Sequence, residues 1–190
     1  SSLEITSSSS VTFTDSGQSL GSSKSIGVEL GDVDDDGDLD AFVANYSNQP
    51  NKVWINDGNG TFTDSGQSLG ASKSLEVSLG DVDDDGDLDA FVANHGQGNK
   101  VWINDGSASF TDSGQSLGSS TSHDVSLGDV DDDGDLDAFV ANSPNQSNKV
   151  WLNDGRSDVG DITLNQAEVG DYTLTYDGTN TFSLSHDGGT

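Results

Sequence analysis

The 190 residues contain no cysteine and no methionine, and only six of them are Lys or Arg. Without cysteine there is no disulfide, so an oxidising compartment would have to be met with another staple, and a bound cation can play that part. Zinc and copper lose their sulfur ligand, and none of the three histidines, His95, His123 and His186, falls within the acidic stretches described below. Set against 34 acids, the six cations leave a formal net charge of −28. That excess closes the electrostatic route to nucleic acid and anionic lipid. Hydrophobic residues make up 30% of the chain. So thin an apolar content under so much unbalanced charge marks chains that stay disordered without help. No apolar run approaches a membrane span, and no secretory leader is recognisable at Ser1. Nucleophile elbows, phosphate-cradling glycine loops and cofactor fingerprints are also missing, which points away from an enzyme.

What is present is one fifteen-residue string, GDVDDDGDLDAFVAN, written three times from Gly31, Gly80 and Gly128. Each copy places six aspartates in nine positions, so the three copies hold 18 of the 34 acids. Like charges at that density are tolerable in a folded chain only around a cation. In the first copy Asp32, Asp34 and Asp36 occupy positions one, three and five, Gly37 stands at the bend, Asp38 offers its backbone carbonyl, and Asp40 closes at nine. Asp81, Asp83, Asp85, Asp87 and Asp89 repeat the arrangement, as do Asp129, Asp131, Asp133, Asp135 and Asp137. Calcium takes roughly six to eight oxygens in a tolerant geometry, whereas magnesium demands a near-ideal octahedron and retains waters, so three Ca²⁺ ions are expected. An EF-hand would need a bidentate Glu at position twelve and helices on both sides. Position twelve is Val43, Val92 or Val140, and the following LDAFVAN is short, apolar and β-prone. Three ions would cancel six charges where repulsion is worst and couple metal binding to folding. Aspartates committed to metal would be poor acid–base groups.

The loops recur at spacings of 49 and 48 residues, and Trp54, Trp102 and Trp151 at 48 and 49. A fixed period of this length signals a solenoid, propeller or array. Each unit reads as four short strands: an alternating strand such as Ile26, Val28 and Leu30, then LDAFVAN, then NKVWIND or NKVWLND, then FTDSGQSLG. Asp57-Gly58, Asp105-Gly106 and Asp154-Gly155 mark turns after the third strand. One FTDSGQSLG, Phe13 to Gly21, precedes any complete unit, while RSDVGDITLN follows the third NKVWLND where a fourth strand is due. Three regions result: a Ser-rich flexible leader over 1–10, repeats over 11–155, and a tail over 156–190. In the tail, Tyr172, Leu174, Tyr176, Phe182 and Leu184 flank the turn Asp177 to Asn180 and predict a β-hairpin, or the start of a second β domain.

The aspartate loop between two strands resembles the FG-GAP or VCBS-type repeat, the calcium-binding blade of the integrin α-subunit propeller and of many secreted surface proteins, from about Val11 to Gly155. The resemblance implies an all-β fold of propeller-type four-stranded blades, with calcium at the turn between the first two strands. Three blades are fewer than the four to eight of known propellers. The blades are therefore expected to be open, or completed by strand exchange between chains into a ring or fibre, or continued in a longer protein. Extracellular calcium modules bind at roughly 10⁻⁴ to 10⁻³ M, which places the chain outside the cell or on its surface. The expected role is structural or adhesive, through self-association or other surface proteins, with no membrane insertion. A carbohydrate-binding propeller module is the alternative, with Trp54, Trp102 and Trp151 as sugar platforms rather than inter-blade core, or with loops such as Tyr46 to Asn51 as the recognition surface. Asn45, Asn59 and Asn145 stand in N-x-S/T sequons. His123, at a strand position, reads as a partly buried, satisfied histidine.

Overall fold

The computed structural model describes residues 10–143 and 145–155, together with the backbone of Tyr172–Tyr176 and Phe182–His186. The chain divides into two compact units, Ser1–Asn153 and Asp154–Thr190. Every named element among the described residues is a strand, and no helix is long and apolar enough to cross a membrane.

The larger unit is three antiparallel sheets. The first runs β1 (Ser25–Gly31), β2 (Asp40–Asn45), β3 (Lys52–Asn56) and β4 (Phe62–Asp64), in that order. The second runs β5 (Ser74–Gly80), β6 (Asp89–Asn94), β7 (Lys100–Ile103) and β8 (Thr111–Asp112). The third has β9 (Ser122–Gly128), β10 (Asp137–Asn142) and β11 (Lys149–Trp151). The sheets stack, with β1 against β5 and β5 against β9. In the smaller unit β12 (Tyr172–Tyr176) pairs with β13 (Phe182–His186), Leu174 opposite Leu184. The hairpin expected there is thus formed. Its proposed turn, 177–180, and the Ser-rich stretch over 1–9 lie outside the described residues.

Side-chain alternation explains the stacking. In β6, Ala90 and Val92 face the first sheet and, with Val77 of their own sheet, join Phe42 and Val53, while Phe91 and Ala93 face the third and join Val125, Ala138 and Val140. Both faces of this strand are buried, so it reads as a continuous apolar run rather than an alternating one. The core therefore lies between blades. Two interfaces are complete, and each blade alone would bury little.

Two expectations need correction. The fourth strand is only Phe62–Asp64 or Thr111–Asp112 rather than all of FTDSGQSLG. At the turn around Gly66 or Gly114 the ladder is interrupted, and the chain rejoins the edge of the same blade at one point, where Leu69 and Leu117 bridge to Asn51 and Asn99 just before the third strand. The Gln in this segment clamps the following blade: the Gln18 carboxamide donates to Gly60 O and accepts from Phe62 N, and Gln67 makes the same pair with Ala108 and Phe110. His123 is exposed rather than partly buried. Ile26, Leu75 and His123 are each the extra residue at a register shift against the second strand, a β-bulge that takes that position out of the inter-blade core.

Candidate metal centre

Each acidic loop joins the first strand of a blade to the second, Gly31 standing opposite Asp40, Gly80 opposite Asp89 and Gly128 opposite Asp137. Two left-handed residues make the bend. Gly37, Gly86 and Gly134 have φ of 92°, 99° and 104°, values that only glycine adopts without strain. Asp35, Asp84 and Asp132 have φ near 60°, a conformation that aspartate tolerates better than most residues. The carboxylate at position one accepts from the bend glycine: Gly37 N to Asp32 Oδ2 is 2.9 Å, Gly86 N to Asp81 Oδ2 3.0 Å and Gly134 N to Asp129 Oδ2 3.1 Å. Asp36, Asp85 and Asp133 each accept from the amide two residues on.

Position nine is the pin. Asp40, Asp89 and Asp137 are fully buried. One oxygen of each accepts from the amide of Val33, Val82 or Val130 at the start of its own loop, and the other from Asn56, Asn104 or Asn153 at the end of the third strand. The loop is thereby locked to the sheet at both ends. Asn104 and Asn153 extend the lock across blades, their side-chain amides donating to the carbonyls of Val33 and Val82 in the preceding loop.

These constraints turn the remaining carboxylates toward one point. Asp32, Asp34 and Asp36 each bring an oxygen within 4.8 Å of the others, as do Asp81, Asp83 and Asp85 in the second loop, and Asp129, Asp131 and Asp137 in the third. Asp32 Oδ1 and Asp34 Oδ1 are buried and accept no hydrogen bond. A buried carboxylate oxygen facing other carboxylates, with no donor, is costly unless a cation meets it. An oxygen-only donor set of this kind fits a hard cation such as calcium. Asp38 and Asp87 turn their carboxylates instead onto Gly58 and Gly106 of the turn after the third strand, where a Cβ would collide.

The charges register their crowding. Burial, then the charges of Asp40 and Asp36, raise Asp34 above the usual carboxylate range. Burial pushes Asp89 up to about 6, against the pull of the Asn104 and Val82 amides. Asp131 is raised by burial and by Asp133, Asp137 and Asp129. Neighbouring loops also touch: Asp135 is raised first by a hydrogen bond with Asp84 and Asp87 by burial, then by Asp85 and Asp35. Asp57 and Asp105, whose carboxylates accept from backbone amides and, at Asp105, from the Ser107 hydroxyl, are held below the usual value.

Sequence reasoning singled out the odd-numbered positions and the bend glycine. It passed over Asp35, Asp84 and Asp132, and over the asparagines Asn56, Asn104 and Asn153. The signal was available, because both recur in all three units at places where nothing apolar is needed. Of the other candidates, Trp102 is buried, and Gly21, Gly70 and Gly118 lie on the ring edges of Trp54, Trp102 and Trp151. The Asn45 sequon is buried; its side chain donates to Pro50 O and accepts from the Ser25 hydroxyl, so it is closed to a glycan, whereas Asn59 and Asn145 are exposed.

Stacked antiparallel blades, two of four strands and one of three among the described residues, each with an acidic loop after its first strand, define a repeat protein built blade on blade. The family model of the FG-GAP-like repeat matches residues 32–92 and 81–140, more than half of the chain, and the protein belongs to that family. Its repeats are typical of extracellular or surface proteins with structural or adhesive rather than catalytic roles. No curated protein matches the chain.

Proposed function

We propose that this chain is an extracellular calcium-binding structural or adhesive module. Its three loops hold one Ca²⁺ each, through the carboxylates of Asp32, Asp34 and Asp36, of Asp81, Asp83 and Asp85, and of Asp129, Asp131 and Asp133. The backbone carbonyls of Asp38, Asp87 and Asp135 and the inner aspartates Asp40, Asp89 and Asp137 complete the set. The observation that carries this reading is the pair of buried oxygens of Asp32 and Asp34 that no donor reaches. Bound calcium supplies the positive charge that lets carboxylates converge at the turn of each blade. The chain's own residues fix the loop, exclude water from its inner side and join it to the neighbouring blade.

Binding at the calcium levels of extracellular media, roughly 10⁻⁴ to 10⁻³ M, suits a fold assembled only outside the cell. The work of such a module is to hold surfaces together, by self-association or by contact with other surface proteins or their glycans. The exposed part of the loop from Tyr46 to Asn51 is the recognition surface for those contacts. Equilibrium dialysis against calcium tests the reading. The intact chain should bind three ions, and Asp34→Asn, Asp83→Asn and Asp131→Asn should each lower the count by one; a chain that binds none refutes it.

A further inference from the structure

The two interfaces inside the stack leave the halves of a third uncovered among the described residues. In the complete interfaces, Gly31 of the leading blade receives Leu79 and Leu88 of the following one, and Gly80 receives Leu127 and Leu136. At Gly128 the same hollow has no atom within 4 Å of a Cβ position. The leucines that would fill it by equivalence are Leu30 and Leu39 of the first blade, and both are exposed. Val28 is 57% exposed where Val77 is 2%, and Phe139 is 47% exposed where Phe42 is fully buried. The back of the third blade and the front of the first are thus complementary in shape and both apolar.

A donor strand and an open edge accompany these faces. Phe13, Thr14 and Asp15 repeat the residues of β4, yet pair with no strand, and Phe13 is 96% exposed. The turn after them is already formed: Gly17 N donates to Asp15 Oδ1 at 2.8 Å, as Gly66 does to Asp64 and Gly114 to Asp112. The other half of the segment is docked within its own chain, through Gln18 on the first blade and Gly21 on Trp54. At the far end, β11 has a strand on one side only among the described residues. Charge agrees with shape. Lys52 pairs with Asp64 at 3.3 Å and Lys100 with Asp112 at 3.1 Å, while their equivalents Lys149 and Asp15 are exposed and join neither pair.

We propose that a second copy of this chain seats its first blade on the third blade of its neighbour, and lays Phe13–Asp15 along β11 as that blade's fourth strand. The register follows from Trp54 opposite Asp64 and Ile55 opposite Thr63: Asp15 stands opposite Trp151 and Thr14 opposite Leu152. Leu30 and Leu39 enter the hollow at Gly128, and Asp15 pairs with Lys149. The contact is head-to-tail, so it propagates from copy to copy until the rotation per blade closes a ring. Main-chain pairing at an open edge gives affinity, and the buried apolar face and ion pair give register. The proposal rests on the calcium-loaded stack being the folded unit.

Light scattering on the full chain in millimolar calcium, with circular dichroism recorded on the same samples, tests it. The expected result is a mass of two or more chains. Lys149→Asp, which sets two carboxylates against each other, should reduce assembly at least tenfold in concentration, and Lys149→Arg should retain it. Gly128→Leu, which fills an empty hollow and leaves the single chain intact, should give single chains with an unchanged β signal. Because the sequence has no cysteine, Thr14→Cys with Leu152→Cys should give disulfide-linked multimers on oxidation. Single chains at all concentrations with the β signal intact overturn the proposal, as do a Lys149→Asp chain that assembles like the parent and a disulfide closed within one chain. A β signal indifferent to calcium would count against the metal reading while leaving the mass measurement to decide assembly.

Discussion

The middle blade and the end blades have almost the same sequence and very different burial. DAFVAN is buried at all six positions in β6, but in β10 Phe139 lies exposed and Ala141 and Asn142 only partly covered. The strand SLEVSLG of the middle blade buries Val77, whereas SIGVELG of the first leaves Val28 in solvent. Burial here is a property of interfaces between repeats, and the same residue is core or surface according to whether a neighbour stands beside it. Such an array is stabilised by nearest-neighbour terms, so the middle should be its firmest part.

The sharpest way to break that comparison is to remove the same phenylalanine from two blades. Phe91→Ala should cost about 3–5 kcal/mol and Phe139→Ala about 1 kcal/mol, measured by denaturant unfolding in calcium at a concentration where the chains are single. Equal costs would mean that the blades do not depend on one another. Removing the pin comes next. Asp89→Ala strands a buried amide and a partly buried one and should cost roughly 3 kcal/mol, while Asp89→Asn keeps one acceptor and should cost less. Smaller still, Gly70→Ala puts a Cβ 3.2 Å from the Trp102 ring at a positive φ, whereas Gly114→Ala meets nothing within 4 Å. Both pay the left-handed backbone, and Gly70→Ala should lose about 1 kcal/mol more through the ring contact.

The least of these effects, a shift in melting temperature with pH, carries a sign. Asp89 titrates at about 6 in the fold against 3.8 ordinarily, and Asp34 and Asp131 are raised as well. A carboxyl with a raised folded pKa keeps its proton in the fold after the unfolded chain has lost it. Its contribution to the metal-free fold is complete below 3.8 and disappears as pH rises through about 6. Asp57 and Asp105, shifted downward, contribute in the opposite sense and only at lower pH. Metal-free protein should therefore gain order between pH 7 and 5, by about 2–4 °C in midpoint for each kcal/mol. Calcium-loaded protein should lose stability over the same range, because protons compete for the same oxygens.

Much of this was legible beforehand. Period-two patterning located the strands and the hairpin, and the spacing of the aspartates with glycine at the bend located the loops. The bulge at Ile26, Leu75 and His123 was hidden because two of the three residues are apolar and continue the alternation. The pinning role of Asp40, Asp89 and Asp137 could not be separated from metal ligation, since a buried aspartate serves amides and cations alike. The inter-blade clamps of Gln18 and Gln67 join residues 41 to 44 apart, beyond any local pattern. The buried Asn45 sequon shows the same limit, because a motif in the sequence says nothing about access.

Calcium stapling of the three loops is tested most directly by far-ultraviolet circular dichroism and thermal melting of the metal-free chain at pH 7, before and after calcium is added back. The β signal and a cooperative melt should be weak or lost in excess chelator and return on addition of calcium. An identical spectrum and melting midpoint in both conditions would contradict it.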